Sequence, residues 1–113
     1  MSIISFFRSK SEKDKKVLAY LDEIENEMKK IGFWNESPPK FKVGNYLEAP
    51  SFELWLQCIF LPNARKAAES GNYPESSQVG LMAMRQYDYY SCVEEALNLV
   101  SLLNKFDKLA ISK

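Results

Sequence analysis

Residues 49–62 read APSFELWLQCIFLP. Between Phe52 and Leu61 only Glu53 and Gln57 are polar, and they stand four apart, on one face of a helix. The other positions are apolar and cover most of the circumference. A helix apolar nearly all round belongs in the centre of a domain. Ser51 suits the N-cap, and Glu53 in the first turn suits the dipole. Pro62 should kink or restart the helix. NARKAAES (63–70) then continues it with good helix formers, and Gly71 stops it.

Toward the N-terminus lies the clearest periodic segment. Val17, Leu21, Ile24, Met28 and Ile31 are spaced by alternating steps of four and three and form one stripe. The other faces carry Asp22, Glu23, Glu25, Glu27, Lys29 and Lys30, a solvated surface. Ser9 with Glu12 has capping-box spacing, and Ser11 with Asp14 offers a weaker version. Lys29 and Lys30 suit the C-terminal dipole, and Gly32 suits the C′ position.

Residues 32–50, GFWNESPPKFKVGNYLEAP, have no period but carry Phe33, Trp34, Phe41, Val43, Tyr46 and Leu47. Long structureless loops are uncommon in small domains and often functional. So apolar a loop must wrap the bundle, with Trp34 and Phe41 as anchors. Packing alone and a cover over a pocket both fit.

On the C-terminal side, GNYPESS (71–77) is a turn, followed by a short helix from about Gln78 to Tyr87 with Val79, Met82 and Ala83 on one side. YDYY (87–90) ends it, its tyrosines expected to pack with their hydroxyls in water. Ser91 and Glu94 make another capping box, opening a helix whose inner face is Val93, Leu97, Val100, Leu103, Phe106 and Ala110. No strand pattern or repeat appears. The expected fold is all-α: a small antiparallel bundle of about four helices with a long apolar wrapping loop between the first two, in one domain over 1–113, with 1–10 as a flexible arm.

The 113 residues hold 15 Lys plus Arg, 15 Asp plus Glu and no His. Zero net charge argues against wholesale nucleic-acid binding, which needs a basic surplus. The missing histidine removes Ser-His and Cys-His catalysis and every histidine-based zinc site. Cys58 and Cys92 lack metal-ligand spacing and read as buried reduced thiols of a cytoplasmic protein. In MSIISFF the apolar run precedes the charge, unlike a secretory signal. It reads as an arm or docked tail, with a membrane-surface foot as the lesser alternative. No apolar run is long enough to span a bilayer.

No phosphate loop, nucleotide fingerprint or nucleophile elbow is present, so no catalytic residue, metal or cofactor is expected. The chemistry left to weigh is Gln57. A buried amide without partners costs about 1–3 kcal/mol, so it must find some. It either clamps the loop backbone between Gly32 and Pro50 or serves as the polar group of a pocket floored by Trp55 and covered by Trp34.

FWNESPP (33–39) and YLEAPSFELWLQCIFLP (46–62) resemble the YqcC-like family of small bacterial proteins of unknown function. The resemblance runs from about Tyr20 to Ile111 and is densest around Trp34, Pro38, Phe41, Glu48, Trp55, Gln57 and Pro62. NKFDKL (104–109) is similar to the family's last helix, whereas Asn63 stands where the family often has arginine. The resemblance implies an all-α fold, with Trp34, Phe41, Glu48, Trp55 and Gln57 as candidate binding residues. Family genes often neighbour a tRNA pseudouridine synthase gene, which implies a tRNA-modifying enzyme as a partner. The chain is too short for such a catalytic domain and lacks its aspartate motif. The first expectation is therefore a non-enzymatic module acting through protein contacts, without strong nucleic-acid binding or a membrane role. The second is an accessory factor in tRNA modification. The third is a small-ligand binder at the Trp34/Trp55 region.

Overall fold

The structure, a computed structural model, describes residues 11–40, 49–89 and 93–112, with the side chains of 88 and 89 excepted. The arm at 1–10, Ser9, Phe41, Glu48, Tyr90, Ser91 and Cys92 lie outside the described residues. All regular structure within them is helical. α1 is Glu12–Lys30, α2 Phe52–Trp55, α3 Leu61–Ser70, α4 Val79–Met84 and α5 Leu97–Leu109.

α1 starts at the weaker of the two predicted boxes. Ser11 Oγ accepts from Asp14 N at 3.1 Å, and Asp14 Oδ2 accepts from Ser11 N at 3.2 Å. Asp14 fits because its carboxylate is buried here and its second oxygen accepts from the Tyr73 hydroxyl. At the other end Gly32 sits at φ +83°, Phe33 N donates to Met28 O at 2.8 Å, and Gly32 N donates to Lys29 O at 3.3 Å. Together these make a Schellman stop. Val17, Leu21, Ile24 and Met28 are fully buried, so the stripe is the core face.

α2 and α3 form one rod joined by a π-helical turn over Leu56–Phe60, where Leu61 N reaches Leu56 O, five residues back. Ser51 caps the rod through Leu54 N at 3.0 Å. The expected break at Pro62 is replaced by this wide turn. Proline has no N–H to give, and Pro62 stands where the ladder changes from five-back to four-back partners. Backbone angles stay right-handed helical from Trp55 through Leu61. Gly71, at φ +76°, ends the rod.

The rod is less enclosed than its composition suggests. Phe52, Leu56, Phe60 and Leu61 are buried, whereas Leu54, Trp55, Cys58 and Ile59 are only partly so. Cys58, expected to be buried, is a half-buried free thiol, its pKa raised by desolvation.

α4 is followed by a second π-helical turn, Arg85–Tyr89. A 3-10 turn, Glu94–Ala96, leads into α5, preceded by Val93 without a capping side chain. Ser91, half of the expected Ser91–Glu94 box, lies outside the described residues. On α5 the expected inner positions Val100, Leu103, Phe106 and Ala110 are buried, and the reading fails in the first turn, at Leu97. Ala96, Leu99, Leu103, Phe106 and Ala110, spaced three and four apart, are buried with Val100, while Leu97 is 46% exposed. Leu97 falls one residue out of phase with that repeat, so it points away from the core.

α5 packs on α1 and on α4, and α3 packs on α1. α1 and α5 run antiparallel: Lys13 reaches Ile111 at one end, and Glu27 and Asn98 share a hollow at the other. α4 lies so close to α5 that a Cβ on Gly80 would stand 2.7 Å from Asn104 Cα. Asp107 reaches back from α5 to cap α4, accepting from Val79 N at 3.1 Å, Gly80 N at 2.6 Å and the Ser77 hydroxyl.

Candidate functional site

Gln57 projects from the π turn and is 9% exposed. Its Oε1 accepts from Asn35 N at 2.9 Å and its Nε2 donates to Asn35 O at 2.7 Å. Both halves of the amide are thus satisfied by one residue of the loop after α1, which is the clamp expected from the sequence. Glu53, one turn earlier, accepts from the Tyr87 hydroxyl. Tyr87 is 3% exposed, not wet as expected of this cluster, with Phe33 and Phe52 rings at 5.3 and 5.7 Å. Burial, then the hydrogen bond to the Glu53 carboxylate, pushes its pKa far above the ordinary tyrosine value. The two polar residues of the apolar run therefore hold two different neighbours to the rod.

The two tryptophans do not share a pocket. The Trp34 ring lies under the Lys29 ammonium, 5.1 Å from its centroid, beside a shallow hollow of about 390 Å³ that includes Asn35, Glu36, Glu53 and Leu54. Lys29 also binds Glu25 at 2.9 Å. This bond, and after it the bond from Arg65, holds the Glu25 carboxyl below its ordinary value. Trp55 stacks between Phe52 and Phe60, each 5.8 Å away, and faces a different depression. The pocket floored by Trp55 and covered by Trp34 is therefore corrected: Asn35 binds Gln57 in a way that leaves Trp34 with Lys29, outside the lining of the Trp55 cleft. Of the remaining candidates, Phe41 and Glu48 lie outside the described residues.

The Trp55 cleft is an open space of about 360 Å³. The rod supplies Trp55, Ile59, Phe60 and Ala64, the 71–78 segment supplies Tyr73, Pro74 and Val79's neighbours, and α5 supplies Phe106 and Ala110. Trp55 and Ile59, four apart on the rod, share one wall. The other wall is fixed by hydrogen bonds at both ends: Tyr73 to Asp14, Ser112 N to Pro74 O at 2.8 Å, and Ser77 to Asp107. Among the described residues no Asp, Glu, Lys or Arg lines the cleft; its polar groups are neutral, among them Asn63, Ser76 and Gln78. Sequence reasoning found Trp55 but missed Tyr73, Pro74 and Phe106. Their one signal was a tyrosine and a proline placed together in an otherwise polar turn.

The two basic residues of α3 differ in their engagement. Arg65 is held by Asp22 at 2.9 Å and Glu25 at 3.0 Å, bridging α3 to α1. Lys66 beside it is exposed. Among the described residues no group of three or more side chains could hold a metal ion, and no helix is long and apolar enough to cross a membrane.

A family model described as tRNA pseudouridine synthase C matches residues 16–109. No curated protein matches the chain, and no solved structure does.

Proposed function

The chain belongs to DUF446, the family described as tRNA pseudouridine synthase C and the one its sequence resembles, and we propose that it acts there as a docking module rather than a catalyst. The observation that carries this reading is the open cleft beside Trp55, lined among the described residues by apolar and neutral polar groups. Such a lining offers no acid, base or activated nucleophile for chemistry. It suits an uncharged partner surface, because a charged group placed there would lose water and meet no counter-charge. A space of about 360 Å³ accepts one or two aliphatic or aromatic side chains. The half-exposed Leu54, Cys58 and Ile59 extend the apolar surface along the rod.

The test is capture of partners from the source cell with the wild-type chain and with Ile59→Glu, a change on the cleft wall. A partner bound by the wild type and lost with Ile59→Glu, at unchanged circular dichroism, is the expected result. Identical captures by both chains would remove the cleft from the function.

The family's description favours a second, narrower reading in which the partner is a tRNA-modifying enzyme. It requires such an enzyme among the proteins lost with Ile59→Glu. Direct gripping of tRNA by Arg65 has little support, since Asp22 and Glu25 already occupy its guanidinium. Binding to tRNA is expected to be no tighter than about 10⁻⁵ M at physiological salt.

A further inference from the structure

Two acidic pairs flank the core face of α1. Each helical residue turns the chain by about 100°, so Asp22 with Glu25 and Glu23 with Glu27 lie on opposite sides of the buried stripe of Val17, Leu21, Ile24 and Met28. On one side packs α3, whose Arg65 binds Asp22 at 2.9 Å and Glu25 at 3.0 Å. On the other side packs α5, which brings Asn98 and Leu102 where α3 brings an arginine. There Glu23, Asn26, Glu27, Lys30, Asn98 and Leu102 line a hollow of about 350 Å³. Glu27, expected from the sequence on a solvated face, is only 9% exposed. Its side chain makes no hydrogen bond or ion pair among the described residues. No side-chain oxygen among them is sealed from solvent without a partner, so the Glu27 carboxylate opens into the hollow that it lines. Lys30, the one cation in that lining among the described residues, pairs with neither carboxylate. Lys29 is taken by Glu25 and the Trp34 ring. Lys105, on the same face of α5 as Asn98 and Leu102, forms no ion pair among the described residues. Glu94 and Glu95, exposed in the turn that leads into α5, stand four and three residues before Asn98 and add negative charge.

We infer that this hollow receives an arginine side chain of a partner protein. A buried carboxylate without a partner is costly, and a guanidinium placed there supplies both counter-charge and donors. Its planar fork of N–H groups can bridge the Glu23 and Glu27 carboxylates and reach the amide oxygens of Asn26 and Asn98. The molecule makes the same pairing once already, on the other side of α1, where Asp22 and Glu25 share Arg65. A lysine ammonium is a compact, strongly hydrated point charge and bridges two carboxylates less well. A metal ion is poorly served, since among the described residues no three acidic or thiol side chains gather to hold one and Lys30 stands in the lining. A polyanion would meet two carboxylates. Leu102, half-buried at the edge, offers apolar surface to the methylene stem of an arginine, which a free small cation lacks. The hollow shares no lining residue with the Trp55 cleft, so occupation of one does not depend on the other.

The experiment is an amide-shift titration of the full chain by nuclear magnetic resonance. The probe is a capped glycine–arginine–glycine peptide, whose only charge is the guanidinium. The same peptide with citrulline or lysine in the middle, guanidinium chloride and magnesium chloride serve as comparisons. Saturable shifts centred on Glu23, Glu27 and Asn98 are expected with the arginine peptide, and none with its citrulline twin. Glu27→Gln keeps the shape and removes the charge, and should weaken binding at least about tenfold at unchanged helical circular dichroism. Asn98→Ala should weaken it severalfold, and Glu12→Gln, far from the hollow, should leave it unchanged. No saturable shift at these amides, equal shifts with citrulline, or Glu27→Gln binding as the wild type overturns the inference. So does a lysine peptide or guanidinium chloride bound as tightly as the arginine peptide, which would mark a site for any small cation. Magnesium bound more tightly than the arginine peptide would overturn it in favour of a metal site.

Discussion

Replacing Gln57 by leucine isolates the tie between the loop and the rod. Leucine keeps roughly the volume and removes two hydrogen bonds, of 2.9 and 2.7 Å, both to Asn35 backbone. A net hydrogen bond is worth about 0.5–1.5 kcal/mol, so the pair contributes about 1–3 kcal/mol. Two things pull the figure toward the lower half. Asn35 is exposed, so water can satisfy its N–H and C=O, and leucine gains from burial what glutamine does not. A loss of about 1–2 kcal/mol lowers the melting temperature of a chain this size by roughly 4–8 °C. Exchange at the Asn35 amide and its neighbours should quicken about tenfold, while amides in the middle of α1 stay protected. Gln57→Glu separates the two bonds, since it keeps the acceptor for Asn35 N but turns an oxygen toward Asn35 O. A carboxylate held there has its pKa raised above the unfolded value of about 4.3. The variant is then most stable below that value and loses stability as pH rises toward neutrality. Unchanged exchange at Asn35 in Gln57→Leu, or Gln57→Glu more stable at pH 7 than at pH 4, would refute the clamp.

Gly80→Ala should destabilise by about 3 kcal/mol in a denaturant melt, because the new methyl meets the Asn104 backbone at 2.7 Å and only a separation of α4 from α5 relieves it. Asp107→Ala should cost about 2–3 kcal/mol and selectively speed exchange at Val79 and Gly80, whose N–H groups lose their charged acceptor. Tyr87→Phe should cost about 1.5 kcal/mol near neutral pH. Because the Tyr87 pKa is raised in the fold, its contribution holds below the unfolded value of about 10 and falls as pH climbs past it. Alkaline unfolding should accordingly be steeper in the wild type than in Tyr87→Phe, read by tyrosinate absorbance against helical signal.

What could be read from the sequence were features that depend on a residue and its near neighbours. The stripe from Val17 to Met28 is set by local spacing, and all of it is buried. Gln57 was legible because an amide in an apolar run has to be satisfied, and the preceding loop, with few backbone partners of its own, offered a convenient one. The first turn of α5 was misread because Leu97 and Leu99 are the same residue type two apart, and which faces inward depends on where α1 and α4 lie. The π turn has no composition of its own; Pro62 marked the place without saying how the ladder would yield. The candidate site was legible in part. Trp55 stood out, but the opposite wall of its cleft comes from Tyr73, Pro74 and Phe106, which only tertiary folding brings across.

The wide turn at Leu56–Phe60 gives this rod one residue to spare. In a regular helix each residue removed turns everything upstream by about 100° relative to everything downstream. Here a loss is absorbed, because the five-back turn closes to a four-back one and the flanking segments keep their phase. Trp55 then stays beside Phe60 and the cleft, while Ala64 and Ala68 keep their places against α1. Removal of Cys58, only half-buried within the turn, is therefore expected to leave the docking wall in place. The same deletion in the regular turns of α3 would swing that wall away from the rest of the cleft while measures of helix content registered nothing.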